Sequence, residues 1–145
     1  MNRSRLHELS EHGVSVWIDS LSRELLETGA LARLMRDDAV VGVTSNPTIF
    51  QKAIADSADY DEQFKACTDE QRGIDDIYWT MVVDDIEAAL RILRPVYDGS
   101  DGGDGFVSVE VAPDLARDTD GTIASARELH ERIAEPNLMV KIPAT

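Results

Sequence analysis

Four short apolar runs punctuate the chain, and between them apolar residues recur every three or four positions. The runs are residues 14–18 (VSVWI), 40–43 (VVGV), 106–111 (FVSVEV) and 138–142 (LMVKI). Each is short and largely β-branched or aromatic, which predicts a buried strand. After the first run, Asp19 or Ser20 is placed to cap a helix through Leu21, Leu25 and Leu26, with Glu24 in its first turn and Gly29 at its end. Leu31, Leu34 and Met35 continue the helical pattern. After the second run, Asn46 precedes Pro47, which keeps Asn46 extended and suits Pro47 to the first turn of a helix.

From residue 49 to 92 the pattern is mostly helical, and its longest helix is predicted over 72–94, ended by Pro95. Residues 98–105 (DGSDGGDG) lack the GxGxxG spacing and precede a strand, so they read as a flexible connector. A last helix runs through Ile123, Ala126, Leu129 and Ile133 and stops before Pro136. Strand and helix thus alternate four times, which predicts a parallel α/β sheet with helical crossovers. Without a glycine-rich phosphate loop after the first strand, the doubly wound nucleotide-binding sheet is disfavoured. The alternative is a (β/α)8 barrel of ~250 residues. Only the first four strand–helix units of that fold are written here, a half-barrel.

The 145 residues make a single domain, residues 1–145, by the usual size of domains. A net charge of −14 argues against nucleic acid and anionic membrane surfaces as partners. With one cysteine, Cys67, neither an intramolecular disulfide nor a cysteine metal cluster is expected. His7, His12 and His130 show no ligand spacing, so no metal is expected either. The residues around Asp56, Asp59, Asp61 and Glu62 read as a solvated face, and Trp17 and Trp79 as core. The N-terminal residues carry no secretory pattern and no run reaches the length of a membrane span, so a cytoplasmic location is expected.

Candidate chemistry collects at the strand ends, where barrel enzymes keep their sites. Those ends carry Asp19, Asn46, Glu110 and Lys141. Lys141 stands out because it interrupts an apolar run, and a buried ammonium is costly unless paired or neutral. A strand-end lysine that snorkels to water explains it plainly. A lysine neutralised by desolvation, as a Schiff-base nucleophile requires, explains it functionally. Glu110 within an apolar strand makes the second account stronger, because a shared mouth lets the two charges offset each other.

Four segments resemble the transaldolase family. GVTSNPTIF (42–50) is similar to its second-strand signature, VWIDSLSRELL (16–26) to its first, FVSVEVAPDLARDTDGTIASA (106–126) to its third, and LMVKIPAT (138–145) to the start of its lysine signature. The resemblance implies a class I aldolase barrel of the pentose phosphate pathway that acts on sugar phosphates without metal or cofactor. It implies that Lys141 forms the Schiff base, that Asp19 handles the C4 hydroxyl proton, and that Glu110 acts through a water on the carbinolamine. It also implies that Asn46 binds substrate hydroxyls, with Thr44 and Ser45 as strand-end support in the substrate site. The family's later strands, which hold the substrate phosphate, are not written here, so the chain reads as a piece of a longer enzyme, with low or no transfer activity by itself. Exposed sheet edges then predict a homo-oligomer. A fructose 6-phosphate aldolase and a non-catalytic barrel half are the alternatives, and the long helical segment 50–95 favours the transaldolase.

Overall fold

The computed structural model describes residues 4–143; Ala144 and Thr145, the end of the lysine signature, lie outside the described residues. Four parallel strands form one sheet in the order β1 (Val16–Asp19), β2 (Val40–Thr44), β3 (Phe106–Glu110) and β4 (Leu138–Lys141). Around them run α1 (Arg5–Glu11), α2 (Arg23–Glu27), α3 (Ala30–Asp38), α4 (Pro47–Asp56), α5 (Asp61–Asp69), α6 (Ile74–Gly99) and α7 (Thr119–Ile133). Each predicted strand is present with its ends moved by a residue or two. Sequential strands are spatial neighbours, which is the order expected of the first half of a (β/α)8 barrel.

Strand periodicity divides the sheet into two unlike faces. Ile18, Val43, Val107, Val109, Leu138 and Val140 point one way and pack with α2, α3, α6 and α7 into the main core. Ile86, Ala89 and Leu93 of α6 are completely buried against them. Removing this apolar surface from water favours folding. The other face carries Trp17 with Gly42, Asp19 with Thr44, Thr44 with Ser108, and Glu110 with Lys141 as register partners. Met139 shares this face and is exposed. Trp17, expected in the core, instead lies across Gly42, where a Cβ would come within 2.3 Å of the indole. Glycine in β2 is therefore a matter of space for that ring.

Three helix boundaries differ from the sequence expectation. α2 is capped by Ser22, whose hydroxyl accepts from the Leu25 amide at 3.2 Å, so neither Asp19 nor Ser20 is the cap. The Asp19 carboxylate is thereby free of that duty at the end of β1. Gly29 adopts the left-handed conformation (φ 70°) one residue past the Thr28 cap. Pro95 does not stop α6, which continues to Gly99. A proline inside a helix removes one backbone donor. Here the next turn is held by Arg94–Asp98 pairing at 2.9 Å and by Tyr97 packed edge-on to Phe106 at 5.3 Å. Asp98 and Gly99, read as loop, therefore close the helix. The rest of that stretch turns back through Gly102 N–H to Tyr97 O and Gly105 N–H to Val41 O. Gly105 has φ 82° and sits where a Cβ would lie 2.3 Å from the Tyr97 nitrogen.

Candidate active site at the strand ends

The site begins with the β3–β4 register. Glu110 and Lys141 are directly paired in the ladder, so both side chains rise from the same face at the same height. The Lys141 Nζ lies 3.1 Å from Glu110 Oε2 and donates a hydrogen bond of 2.8 Å to the backbone carbonyl of Ser45. The next strand reinforces this spot. Ser108 Oγ donates to Thr44 Oγ1 at 2.9 Å on the shared face, and the buried Ser45 hydroxyl donates to Ser108 O at 2.7 Å. Asn46 is extended, as its position before proline demands, and caps α4 by accepting from the Ile49 amide at 3.0 Å. Pro47 follows in the first turn.

An open cleft of about 530 Å³ lies over these strand ends, with Asn46, Lys52, Glu110 and Lys141 in its lining and Pro47 and Pro113 as walls. Lys52 also reaches a neighbouring hollow with Ser20, Ser22 and Asp56. Of the residues expected at the site, Lys141, Glu110 and Asn46 meet in the cleft. Thr44 joins through Ser108. Ser45 contributes its carbonyl, while its hydroxyl points into the protein. Asp19 ends β1 exposed, on the same face as Glu110, but does not line the Lys141 cleft. Ser108 has no place in the sequence reading; its position two residues before Glu110, on the same face of β3, is the signal that identifies it.

A second charged cluster lies behind the sheet. Asp85, on the buried side of α6, accepts from Tyr60 Oη at 2.6 Å and from Arg23 Nε at 3.1 Å. The Arg23 guanidinium also stands 4.3 Å from the centre of the Tyr60 ring. Burial pushes the Asp85 carboxyl above its ordinary value, opposed by the Tyr60 and Arg23 hydrogen bonds. Burial and the adjacent Asp85 push the Tyr60 phenol well above its usual range. This cluster ties α2 and the turn at Ala58–Tyr60 to α6. No group of three or more His, Cys, Asp and Glu is placed to hold a metal ion among the described residues.

A reactive-looking lysine beside a carboxylate at barrel strand ends invites comparison with known aldolases. The family model described as Transaldolase/Fructose-6-phosphate aldolase matches residues 16–145, from the first residue of β1 onward. The chain belongs to this family. Among curated relatives, the transaldolase of Saccharopolyspora erythraea is 50% identical over 142 residues, 98% of this chain and 38% of that protein. That of Thermobifida fusca is 49% identical over 142 residues, again 98% of this chain and 39% of the relative. Transaldolase 2 of Nostoc punctiforme is 43% identical across all of this chain and 38% of its own length. The chain thus spans well under half the length of the transaldolases it matches, and every residue of the strand-end cluster lies inside the matched region.

Proposed function

We propose that Lys141 is the Schiff-base nucleophile of a transaldolase reaction, moving a dihydroxyacetone unit from a ketose phosphate, sedoheptulose 7-phosphate or fructose 6-phosphate, to an aldose phosphate. The observation that carries this reading is the Lys141 amine held between Glu110 and the Ser45 carbonyl, open to the cleft. The Glu110 carboxylate, 3.1 Å away, is the nearest group placed to take the amine's proton before attack. The neutral amine adds to the C2 carbonyl, and the carbinolamine loses water to give an iminium, with Glu110 relaying protons through a water. Asp19 takes the C4 hydroxyl proton as the C3–C4 bond breaks. The bond's electrons pass into the iminium to form an enamine, and the aldose phosphate leaves. The enamine then adds to the acceptor aldehyde, and hydrolysis frees Lys141. Asn46, with Thr44 behind it, orients substrate hydroxyls. The Ser45 hydroxyl faces away from the cleft, so its part is played by the carbonyl.

The same reading places the chain in the pentose phosphate pathway in the cytoplasm. Among the described residues no helix is long and apolar enough to cross a membrane. Self-association belongs to the proposal too. The edges β1 and β4 and the exposed Met139 and Ile142 are surfaces that a second copy can cover. Sedimentation is expected to give a dimer, and a compact monomer at all concentrations contradicts that part.

Borohydride reduction in the presence of fructose 6-phosphate tests the chemistry. A stable adduct on Lys141, depleted when an aldose phosphate is added before the reductant, supports transfer. Release of free dihydroxyacetone without acceptor favours the fructose 6-phosphate aldolase reading. The 53-residue helical stretch from Pro47 to Gly99 between β2 and β3 supports the transaldolase alternative instead. No adduct with any ketose phosphate contradicts Lys141 as a working nucleophile in this chain and leaves its family membership standing.

A further inference from the structure

We infer that Ser45 is a positioning residue for the Lys141 amine, acting through its buried hydroxyl and its own carbonyl; this rests on the Schiff-base reading above. A neutral amine has two N–H bonds and one lone pair. Near Lys141 Nζ stand two acceptors, Ser45 O at 2.8 Å and Glu110 Oε2 at 3.1 Å. When each takes one N–H, tetrahedral geometry leaves a single direction for the lone pair. The attacking electron pair is then aimed by where the two acceptors sit. Glu110 is fixed by the β3–β4 ladder. Ser45 is not, because the β2–β3 pairing ends at Thr44 and Ser108 and Ser45 is the next residue.

Its hydroxyl does the work that the ladder no longer does. Ser45 is completely buried, and Oγ reaches across to the Ser108 carbonyl at 2.7 Å. That bond ties the first residue beyond β2 to β3, the strand that carries Glu110. Both acceptors of the Lys141 amine are thus referred to the same strand. The Ser45 side chain never enters the cleft, so it has no direct contact with substrate to offer. A shift of the carbonyl by a fraction of an ångström misdirects the lone pair without removing any group from the cleft, and misplacement on the order of 1 Å costs roughly a hundredfold in well-oriented sites.

The test follows the first-order rate of cyanoborohydride-trapped adduct formation on Lys141 across a dihydroxyacetone series. In the same samples, acetic anhydride labelling compares Lys141 with Lys65, an exposed lysine on α5 that serves as an internal standard. Ser45→Ala is expected to lower the saturating rate about tenfold and leave the half-saturating dihydroxyacetone concentration unchanged. The Lys141 to Lys65 labelling ratio is expected to fall with it. Ser45→Thr, which restores the hydroxyl, is expected to recover the rate. Ser45→Cys, which keeps serine's shape with a slightly larger and poorly donating thiol, is expected to resemble Ser45→Ala. An unchanged rate in Ser45→Ala, a shift confined to half-saturation, or a wild-type rate in Ser45→Cys overturns the inference. If the unaltered chain gives no adduct at all, the Schiff-base reading fails on its own account. The labelling ratio then still decides the matter for Ser45, and a ratio unmoved by Ser45→Ala sinks it.

Discussion

Two ion pairs of equal length sit on opposite sides of one sheet. Arg23–Asp85 and Lys141–Glu110 both measure 3.1 Å, yet their side chains are 14% and 4% exposed in the first pair and 38% and 18% in the second. Behind the sheet, Asp85 is saturated by donors from Arg23 and Tyr60, and Arg23 spends further hydrogen bonds on Gln63 and the Asp59 carbonyl. Among the described residues each buried side-chain polar atom of this cluster has a hydrogen-bond partner, and Arg23 and Asp85 also line an open hollow of about 460 Å³. At the strand ends, the lysine has two acceptors and an open side toward the cleft. Closeness of charges therefore does not distinguish the two pairs. Exposure does, and the Lys141 amine is the more open of the two cations.

Substitutions should separate the two pairs. The largest effect is expected from Lys141→Ala, which removes the proposed nucleophile and should cut adduct formation by at least about a thousandfold. Its stability should change by less than about 1 kcal/mol, since the pair is partly open to water. Asp85→Ala should do the reverse. It leaves Arg23 buried without its carboxylate and should cost about 3–5 kcal/mol in urea unfolding, while the folded fraction still traps dihydroxyacetone. A stable Asp85→Ala chain contradicts the structural role of that cluster. Glu110→Gln keeps size and a hydrogen-bonding group but not the charge. It should slow adduct formation about ten- to a hundredfold with little loss of stability; an unchanged rate removes Glu110 from the proton relay.

The smallest effect is on pH dependence. Burial raises the Asp85 carboxyl above the ordinary carboxylate value of 3.8. The folded chain then keeps that proton at pH values where the unfolded chain has lost it. Its contribution to stability is fully present below the unfolded value and declines as pH rises through the folded one. Asp76 works in the opposite sense, because its hydrogen bond to Arg72 lowers its carboxyl, so that contribution is present above 3.8 and lost on acidification. Unfolding curves of the unaltered chain and Asp85→Asn, compared between about pH 4 and 7, should diverge in slope above the ordinary carboxylate range. Parallel curves contradict the shift.

The strand-end pair was far more legible in the sequence than the pair behind the sheet. Strand ends can be read from apolar runs, and a parallel ladder then sets Glu110 beside Lys141 once both end their strands on one face. The Arg23–Asp85 cluster joins residues far apart in the chain and has no local signature. One trace existed: Asp85 falls in the helical stripe of Met81, Val82, Ile86 and Ala89, where a charge is out of place. The Ser45 hydroxyl was hidden for another reason. The TSNP segment suggests a row of polar groups at a mouth, but period two turns Ser45 away from Thr44 and into the protein. Pro95 misled because proline's local cost was outweighed by packing of the following turn against β3. Asn137 gave no signal at all. It is completely buried between the Leu90 and Gly105 carbonyls, which it bonds at 3.1 and 2.9 Å, while its own Oδ1 has no partner among the described residues.

The most direct test uses the chain's own controls, since it has only three lysines, Lys52, Lys65 and Lys141. The unaltered chain is incubated with dihydroxyacetone, reduced with borohydride, digested and mapped. A reduced adduct is expected on Lys141, with Lys65 unmodified and Lys52, though it lines the same cleft, unmodified as well. Equal modification of all three, or an adduct on Lys52 in place of Lys141, contradicts the claim that the acceptors around the β4 lysine make it the nucleophile.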